Sequence, residues 1–464
     1  MLIRRAHIFG SDHTDVRWTG GRIVECGTDL RPLPGENDID AHGGWLLPGL
    51  HDHHIHLRAL AALSDSVPLG PERIPDLSGL IAELHRADAQ LPAGQWIRGI
   101  GYHESVAGSL DRRLLDRALP GRPVRVQHRS GGLWILNSAA CAEIELDECA
   151  VTGVERDAAG RLTGRLWRMD SWLGARIPSL PLDLAGVSSR AARHGITGFT
   201  DATPGLTQQE VSELAGAVAD GRIVQRVHCM APPSITDPRI ARFTLGPTKI
   251  LLDDTNLPTL DDLTETIREA HEASRPVAVH CVTRVQLILT LAALDSAGVR
   301  PGDRIEHGAI VPDSVLDHMR ALALTVVTQP HFPVERAAQY ALDVPEEDRA
   351  DLWRLGSLLN RGVAVAAGTD APFGGADPWR VLAACLTKQM NTTVGEAISL
   401  HCALQLFFGY PERPAVPRTV RPGAVADLTL LRAAPAEIAD HPAAGAELVA
   451  ATIVGGQPVY LASQ

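Results

Sequence analysis

The middle of the chain alternates short apolar segments with helical ones, and this alternation restricts the fold more than any other feature. The helical stretches separate the later apolar segments, and Thr259 is placed to cap one of them. Eight segments have the length and composition of strands: 46–52, 196–201, 224–230, 248–252, 277–281, 303–307, 324–329 and 363–368. Eight strands that alternate with helices predict an α/β fold, a (β/α)8 TIM barrel.

The two ends of the chain differ from this middle, because both are rich in short β segments. Distant segments can pair when the ends of the domain between them lie close together. We therefore expect residues 1–45 and 413–464 to form one small composite β-sandwich beside a barrel at 46–412. Residues from about 58 to 190 separate the first two predicted strands and are interpreted as an inserted subdomain.

Composition excludes several classes of partner. The net charge is −12 and no basic cluster is present, so we expect neither a nucleic-acid nor a membrane partner. No apolar run approaches the ~18 residues of a membrane span, and the N-terminal segment lacks the apolar core of a secretory signal. The seven cysteines contain no Cys-x-x-Cys pair and fit a reducing compartment. We expect a cytoplasmic protein with a small-molecule substrate, and a homodimer is considered.

Polar side chains stand where the predicted strands end, which is the rim that carries catalytic residues in such barrels. The first strand ends in "DHHIH", the fourth carries Lys249, the fifth and sixth reach His280 and His307, and the eighth reaches Asp370. A single histidine at a strand end is more often a hydrogen-bonded structural residue. The convergence of all these groups on one rim favours a metal site, because imidazole and carboxylate are ligands of Zn²⁺.

Lysine is scarce in this chain: Lys249 and Lys388 stand against 41 arginines. Arginine cannot lose its proton, so a position that remains lysine can be one that needs a neutral amine. A neutral buried amine can take up CO2 to form a carbamate, which offers two oxygens. We expect a carboxylated Lys249 to bridge two metal ions, with Zn favoured and Fe or Mn as alternatives. Lys388 is interpreted as an ordinary surface residue.

The segment "PGLHDHHIHL" resembles the first-strand signature of the amidohydrolase superfamily, Pro-Gly-apolar-x-Asp-x-His-x-His. Lys249, His280, His307 and Asp370 fall where that superfamily places its carboxylated lysine, two further histidines and its last-strand aspartate. The segments "WIRGIGYHES", "RIEHGAI", "TQPHF" and "AAGTDAPF" are similar to the YtcJ-like branch, which includes N-substituted formamide deformylases. The resemblance implies a two-metal site in a barrel and hydrolysis of amide-type bonds.

The first strand offers two His-x-His pairs, His51 with His53 and His54 with His56. Strict alternation along a strand would place His54 and His56 on one face together with Asp52. That pair is nearer the rim, and the superfamily signature selects it as well. We assign His54 and His56 as metal ligands and Asp52 as their support, and we expect His51 and His53 to face the surrounding helices.

The chain departs from the branch in segments that would line a substrate pocket, namely Gly101-Tyr102-His103, Ser130-Gly131-Gly132, Trp167-Arg168 and Asp253-Asp254. These departures weaken the transfer of any family substrate. Candidate substrate-binding residues are His331 after the seventh strand and, in the insertion, Tyr102, His103, Trp134 and Asn137. Glu306 is expected to point to the face of its strand opposite His307 and to have a structural role.

Four functions are compatible with these residues. The favoured one is metal-dependent hydrolysis of a C–N bond in an N-acyl or N-formyl amine or a cyclic amide, with Asp370 as the catalytic proton carrier. Esterase or lactonase activity needs the same machinery. A mononuclear deaminase is disfavoured, because Lys249 is present and "CVTRVQ" after His280 holds no acid. A non-catalytic homologue is disfavoured, because all six predicted ligands are present.

Overall fold

The computed structural model describes residues 1–63, 66–71, 73–149, 151–177, 182–387, 396–441 and 445–462. Lys388, which the sequence analysis interprets as a surface residue, lies outside these ranges. The chain forms two compact units, one made of residues 1–57 and 184–464 and the other of residues 58–183. The smaller unit lies within the range 58–190 that the sequence predicts as an insertion, and the predicted domain boundaries stay a prediction.

The larger unit is built around short parallel strands, here called the central strands. They are Leu50–Ile55, Ile196–Asp201, Arg226–Cys229, Phe243–Leu245, Thr248–Ile250, Val277–Cys281, Arg304–His307, Thr325–Thr328 and Ala364–Ala367. The first four form one parallel sheet and the last five form another, each in the order of the chain. Their side chains are largely buried, as expected for parallel strands covered on both faces.

Backbone hydrogen bonds join the two parallel sheets at both of their shared edges, between the last and the first central strand and between the fourth and the fifth. The amide of Asp370, after the last central strand, donates to the carbonyl of His54 in the first, at 2.7 Å. The amide of His56 donates to the carbonyl of Ala371 at 2.9 Å. At the other junction only Gly246 and Pro247 separate two central strands, and the Ala231 amide donates to the Pro247 carbonyl. The predicted α/β class is confirmed.

Helices connect most of the central strands, but none lies between Arg226–Cys229, Phe243–Leu245 and Thr248–Ile250. The helices of the larger unit are Leu184–Arg193, Gln208–Ala219, Leu260–Glu272, Arg284–Ala297, Asp313–Ala321, Phe332–Glu335, Ala337–Asp343, Leu355–Asn360, Pro378–Leu386, Leu400–Gln405, Pro435–Asp440 and Gly445–Leu448, with a 3-10 turn at Glu346–Asp351. Thr259 caps the helix that follows it, since its side chain accepts a hydrogen bond from the Asp262 amide.

The two chain ends meet in one five-stranded sheet, made of His7–Ile8, Trp45–Pro48, Leu428–Leu431, Val449–Val454 and Gln457–Leu461. A four-stranded sheet holds Leu2–Arg4, Asp15–Thr19, Arg22–Gly27 and Asp38–Asp40, and Gly409–Tyr410 pairs with Arg413–Pro417. Buried side chains from both larger sheets, including Ile3, Trp18, Leu46 and Leu428, form one apolar cluster.

The strand predicted at 46–52 is two strands in the structure. Trp45–Pro48 belongs to the sheet of the chain ends, and Leu50–Ile55 belongs to the central sheet. The break falls at Gly49, where a Cβ atom would lie 2.2 Å from the side chain of Thr197. The glycine allows this close approach, and an apolar run alone does not show where a strand changes sheets.

The smaller unit contains a six-stranded sheet, in the spatial order Val154–Arg156, Leu162–Trp167, Leu133–Leu136, Val124–His128, Ile97–Tyr102 and Val67–Pro68. Its helices are Leu77–Gln90, Glu104–Ala107, Arg112–Ala118, Ser138–Glu143 and Asp170–Gly174, with a 3-10 turn at Leu146–Glu148, and Leu57–Ala61 spans the boundary of the two units. Across the described part of the chain, we find no helix with the length and apolar character needed to cross a membrane.

Candidate metal centre

A bulge in the first central strand decides where its histidines point. Asp52 lies opposite Phe199, and Ile55 lies opposite Asp201, so three steps on this strand face two on its neighbour. An extra residue of this kind interrupts the alternation of side chains between the two faces. The strict alternation used to assign faces from the sequence is therefore wrong for this segment.

Three side chains from distant parts of the sequence meet where the central strands end: His54, His307 and Asp370. One ligand-type atom of each lies within 4.8 Å of those of the other two, and all three residues are buried. Nε2 of His54 is 3.5 Å from Oδ1 of Asp370, and Nδ1 of His307 is 3.9 Å from Oδ2. Imidazole nitrogens and a carboxylate in this arrangement suit Zn²⁺ or a similar divalent ion.

Two further predicted ligands lie beside this group. Nε2 of His56 is 3.1 Å from Oδ1 of Asp370. The rings of His280 and His307 are 4.6 Å apart between centroids. The structure therefore brings five of the six predicted ligands into one cluster.

Lys249, the sixth predicted ligand, lies in the central strand Thr248–Ile250. Its Nζ atom is buried and has no hydrogen-bond partner in the described ranges. Burial lowers the pKa of this amine, although the negative charges of Glu306 and Asp370 act in the opposite direction. A buried amine with a lowered pKa has the property that carbamate formation requires, and the modification itself stays a prediction.

Asp370 is held next to His54 by a close approach of the two chain segments. The Asp370 amide donates to the His54 carbonyl, and Asp370 itself has a positive φ of 52°. At Gly368, two residues earlier, a Cβ atom would lie 2.4 Å from the amide nitrogen of His54. Because only glycine fits there without displacing backbone, Gly368 is what lets the last strand lie against the first.

The charges of the cluster favour a bound cation. Burial alone would raise the pKa of Asp370, but the neighbouring His54, His56 and His307 hold that pKa well below its usual range. Burial, together with the charge of Lys249, lowers the pKa of His54 to about 3, so its ring is neutral at pH 7. Nε2 of His54 is buried and has no hydrogen-bond partner among the residues that the structure describes, and it faces Oδ1 of Asp370, which Nε2 of His56 approaches to 3.1 Å. Two buried acceptors that face each other at 3.5 Å are compatible with a divalent cation between them.

Asp52 ties the first central strand to the last. Its carboxylate accepts hydrogen bonds from the His54 amide at 3.2 Å, the Thr369 amide at 3.0 Å and the Thr369 hydroxyl at 2.5 Å. Burial raises the pKa of Asp52 to about 6, and these three hydrogen bonds limit the rise. The residue supports the segment that carries both His54 and Asp370.

The sequence predicts that His51 and His53 face the surrounding helices, and the structure contradicts this prediction. The two rings lie 4.5 Å apart, and Nε2 of His51 is 2.9 Å from the hydroxyl of Thr200 on the neighbouring central strand. Burial, followed by the charge of Arg304, lowers the pKa of His53 well below its usual value. These partners come from other central strands because the bulge shifts the faces of the first strand.

Glu306 also differs from its expected position. It is fully buried, and its carboxylate contacts Nδ1 of His54 and accepts a hydrogen bond from Nε of Arg304. Alternation along the strand Arg304–His307 predicts the opposite side from His307. That prediction is wrong because His307 has a φ of 69°, which ends the regular strand at the residue that follows Glu306.

His331, the substrate-binding candidate of the larger unit, is 2% exposed, and neither ring nitrogen has a hydrogen-bond partner among the described residues. Burial lowers the pKa of His331 to about 4, although Asp370 raises it in part. A Cβ atom at Gly374 would lie 2.5 Å from Nε2 of His331 and 2.5 Å from the Thr369 carbonyl. The ring is therefore packed against the loop that carries Asp370.

The four candidates of the smaller unit make contacts within that unit. Tyr102 donates to the Gly108 carbonyl at 2.7 Å, Trp134 donates to Asp170 at 2.8 Å, and His103 accepts from the Ser105 amide. The Asn137 side chain accepts from two backbone amides and donates to two backbone carbonyls. These contacts support the fold of the unit, and a substrate role for the four residues stays a prediction.

Sequence reasoning missed two buried polar residues beside the cluster. Gln329 is fully buried, and its Oε1 is 2.8 Å from Nδ1 of His307. Arg304 is 1% exposed and bonds to Glu306. The available signal was their position, since Arg304 lies within one predicted strand that leads to the rim and Gln329 ends another.

Comparisons with known proteins identify relatives of this chain. The amidohydrolase family model matches residues 38–460. A putative amidohydrolase, YtcJ, of Bacillus subtilis (strain 168) is 24% identical over 92% of this chain and 91% of its own length. An N-substituted formamide deformylase of Arthrobacter pascens is 30% identical, but over 32% of this chain and 29% of its own. A solved structure of an uncharacterized metal-dependent hydrolase from Pyrococcus horikoshii OT3 covers 95% of this chain and 99% of its own, with a TM-score of 0.75 at 18% identity. The chain therefore belongs to the amidohydrolase family, and its YtcJ-like character is confirmed.

Proposed function

We propose that this protein is a metal-dependent hydrolase that cleaves the C–N bond of an amide-type substrate, such as an N-acyl or N-formyl amine or a cyclic amide. The observation that carries the proposal is the buried Nε2 of His54, which has no hydrogen-bond partner among the described residues and faces Oδ1 of Asp370 at 3.5 Å. Membership of the amidohydrolase family supports the bond type, and the partial match to a formamide deformylase supports the formyl class.

The proposed fold around this site is a closed (β/α)8 barrel with a composite β-sandwich, in which Phe243–Leu245 and Thr248–Ile250 together count as one of the eight barrel strands. Closure is supported by the hydrogen bonds of Asp370 and His56 to the facing strand, and by the two-residue junction at Gly246. The sandwich is supported by the sheet that both chain ends share.

The proposed metal ligands are His54, His56, Lys249, His280, His307 and Asp370, with Lys249 carboxylated and Zn²⁺ favoured. When bound, a divalent metal polarises the substrate carbonyl and lowers the pKa of water from 15.7 to about 7. The neutral rings of His54 and His307 suit this role, because a protonated imidazole has no lone pair to offer.

Asp370 is the proposed proton carrier. Contact with the neighbouring histidines holds the pKa of its carboxyl well below the usual range, so the carboxylate is ionised at neutral pH and can accept the proton of the attacking water. It then delivers that proton to the leaving nitrogen, because an amine leaves far more readily than an amide anion. His331 is neutral at pH 7 and can donate one N–H hydrogen bond to the oxygen that gains negative charge.

The proposal is tested by metal analysis of the purified protein, combined with a hydrolysis panel of N-formyl amines, N-acyl amines, cyclic amides, esters and lactones. We expect about two divalent ions per chain, as for a two-metal site, and turnover of at least one amide class. Lys249→Ala should lose metal and activity, whereas Lys388→Ala, which removes the other lysine of the chain, should retain both. Wild-type protein without bound metal, or with turnover of esters alone, contradicts the proposal.

A further inference from the structure

The pair Arg304 and Glu306 has no part in the proposed chemistry, yet it lies directly behind one of the proposed ligands. Glu306 is fully buried, Arg304 is 1% exposed and His54 is fully buried. One oxygen of Glu306, Oε1, accepts a hydrogen bond from Nε of Arg304 at 2.5 Å. The other oxygen, Oε2, contacts Nδ1 of His54. The three side chains form a continuous line from a guanidinium to a proposed ligand.

This line fixes which nitrogen of His54 carries the proton. An ionised carboxylate can only accept hydrogen bonds, so the atom that contacts Glu306, Nδ1, must be the one with the hydrogen. In a neutral ring, Nε2 then holds a lone pair. Nε2 is the atom that lies 3.5 Å from Asp370 and has no donor within the described part of the chain.

Arg304 holds the carboxylate in place and keeps it charged. Its Nη2 atom also donates to the backbone carbonyl of His53 at 3.3 Å, so the guanidinium joins the strand of Glu306 to the strand of His54. A buried carboxylate without a cation beside it would be strongly disfavoured. The positive charge at this depth is therefore a condition for the ionised form of Glu306.

The partners found for two other proposed ligands are neutral. Nδ1 of His307 is 2.8 Å from the amide oxygen of Gln329. Nδ1 of His56 is 3.4 Å from the hydroxyl of Thr203, a longer and weaker contact. A carboxylate partner makes an imidazole a stronger donor to a metal than a neutral partner does.

We propose that Arg304 and Glu306 are positioning residues, which orient His54 and set the strength with which the site binds its metal. This inference rests on the proposed function, because it assigns a role relative to the metal of the same site. Neither residue contacts the substrate or the attacking water in the proposed reaction, and both act through His54.

The test measures metal affinity rather than turnover. Metal-free wild type, Glu306→Gln and Arg304→Lys are titrated with Zn²⁺ against a chromogenic chelator at constant pH, and with Co²⁺ for its ligand-field spectrum. Glu306→Gln should bind Zn²⁺ about 10–100-fold more weakly, the usual effect of removing such a partner, and its Co²⁺ spectrum should shift. Arg304→Lys retains the charge but loses the planar geometry, and should weaken binding by a smaller factor.

Asp303→Asn is the matched control, since Asp303 is a buried carboxylate at the start of the same segment that bonds to His271 and to the Val277 amide instead. It should bind Zn²⁺ within about threefold of wild type, well short of the roughly 10–100-fold weakening expected for the loss of a ligand's partner. Thermal melting of the metal-free variants shows which of them fold. If Glu306→Gln does not fold, the Zn²⁺ affinity of Arg304→Lys tests the inference. If the folded variants of Glu306 and Arg304 bind Zn²⁺ with wild-type affinity, this inference is overturned and the proposed function is not. Wild-type protein that binds no divalent metal overturns the proposed function and this inference together.

Discussion

Replacing Gly368 by alanine should damage both the stability of the protein and its metal site, although the change adds a single methyl group. The added Cβ would lie 2.4 Å from the His54 nitrogen, 2.7 Å from its Cβ and 2.9 Å from its Cα. All three distances are well below van der Waals contact, and two of the atoms are backbone. No flexible side chain can move aside, so the two strands themselves must separate.

The size of the effect follows from what must move. Forcing an extra carbon into a packed site costs about 1–3 kcal/mol. Separation of the strands also weakens the 2.7 Å hydrogen bond between the Asp370 amide and the His54 carbonyl, for which about 1 kcal/mol is typical. We therefore expect Gly368→Ala to lower the free energy of unfolding by about 2–4 kcal/mol. Metal affinity should fall as well, because His54 and Asp370 are moved apart.

Urea denaturation of the metal-free protein and Zn²⁺ titration measure the two effects separately. Gly216 is a control of opposite sign, because it lies in the helix Gln208–Ala219 with no atom within 4 Å of an added Cβ. Gly216→Ala should stabilise the protein by about 0.5–1 kcal/mol through helix propensity and leave metal binding unchanged. A Gly368→Ala variant with wild-type stability and wild-type metal affinity would refute the close approach on which the site depends.

Three further outcomes are expected. Metal-free protein should lose stability as the pH falls from 6 to 4, because the unfolded chain protonates histidines that the folded chain keeps neutral: His54 and His228 have a pKa of about 3 and His331 a pKa of about 4, all depressed by burial. Asp52, with its pKa raised to about 6, opposes this by one proton, whereas His51, His53 and His307, whose pKa values burial also lowers, add to it. An uptake of at least about two protons on unfolding, ~2.7 kcal/mol per pH unit or more, should therefore appear in urea melts, and stability independent of pH would contradict it. His56→Ala should lose metal, while His53→Ala should lose stability and retain metal, and the reverse result in metal analysis would show that the two residues are assigned wrongly. Asn137→Ala removes four hydrogen bonds to backbone and should lower the unfolding free energy by about 2–4 kcal/mol. An unchanged melting temperature would show that these bonds do not stabilise the protein.

The general course of the chain could be predicted from the sequence because its determinants are local. Apolar runs that alternate with helices give the parallel strands, and the residue that follows each run marks a strand end. His307 and Asp370 were placed at strand ends because each lies at the end of a predicted strand, and the structure brings them beside His54. This part of the reasoning needs no knowledge of side-chain contacts.

Features that depend on contacts between distant residues could not be predicted in this way. The bulge between Asp52 and Ile55 shows only in the pairing with the next strand, so alternation assigned the wrong surroundings to His53. The same holds for Gly49, whose role depends on Thr197. Glu306 was misplaced because the positive φ of His307 is a backbone property that its residue type does not reveal.

The central claim is that a divalent metal lies between His54 and Asp370. Anomalous scattering from crystals grown with Zn²⁺, recorded above and below the zinc absorption edge, tests it most directly. We expect an anomalous peak about 2.0–2.2 Å from both Nε2 of His54 and a carboxylate oxygen of Asp370. A Zn²⁺-saturated crystal with no peak at these atoms, or with its peak elsewhere in the molecule, would contradict it.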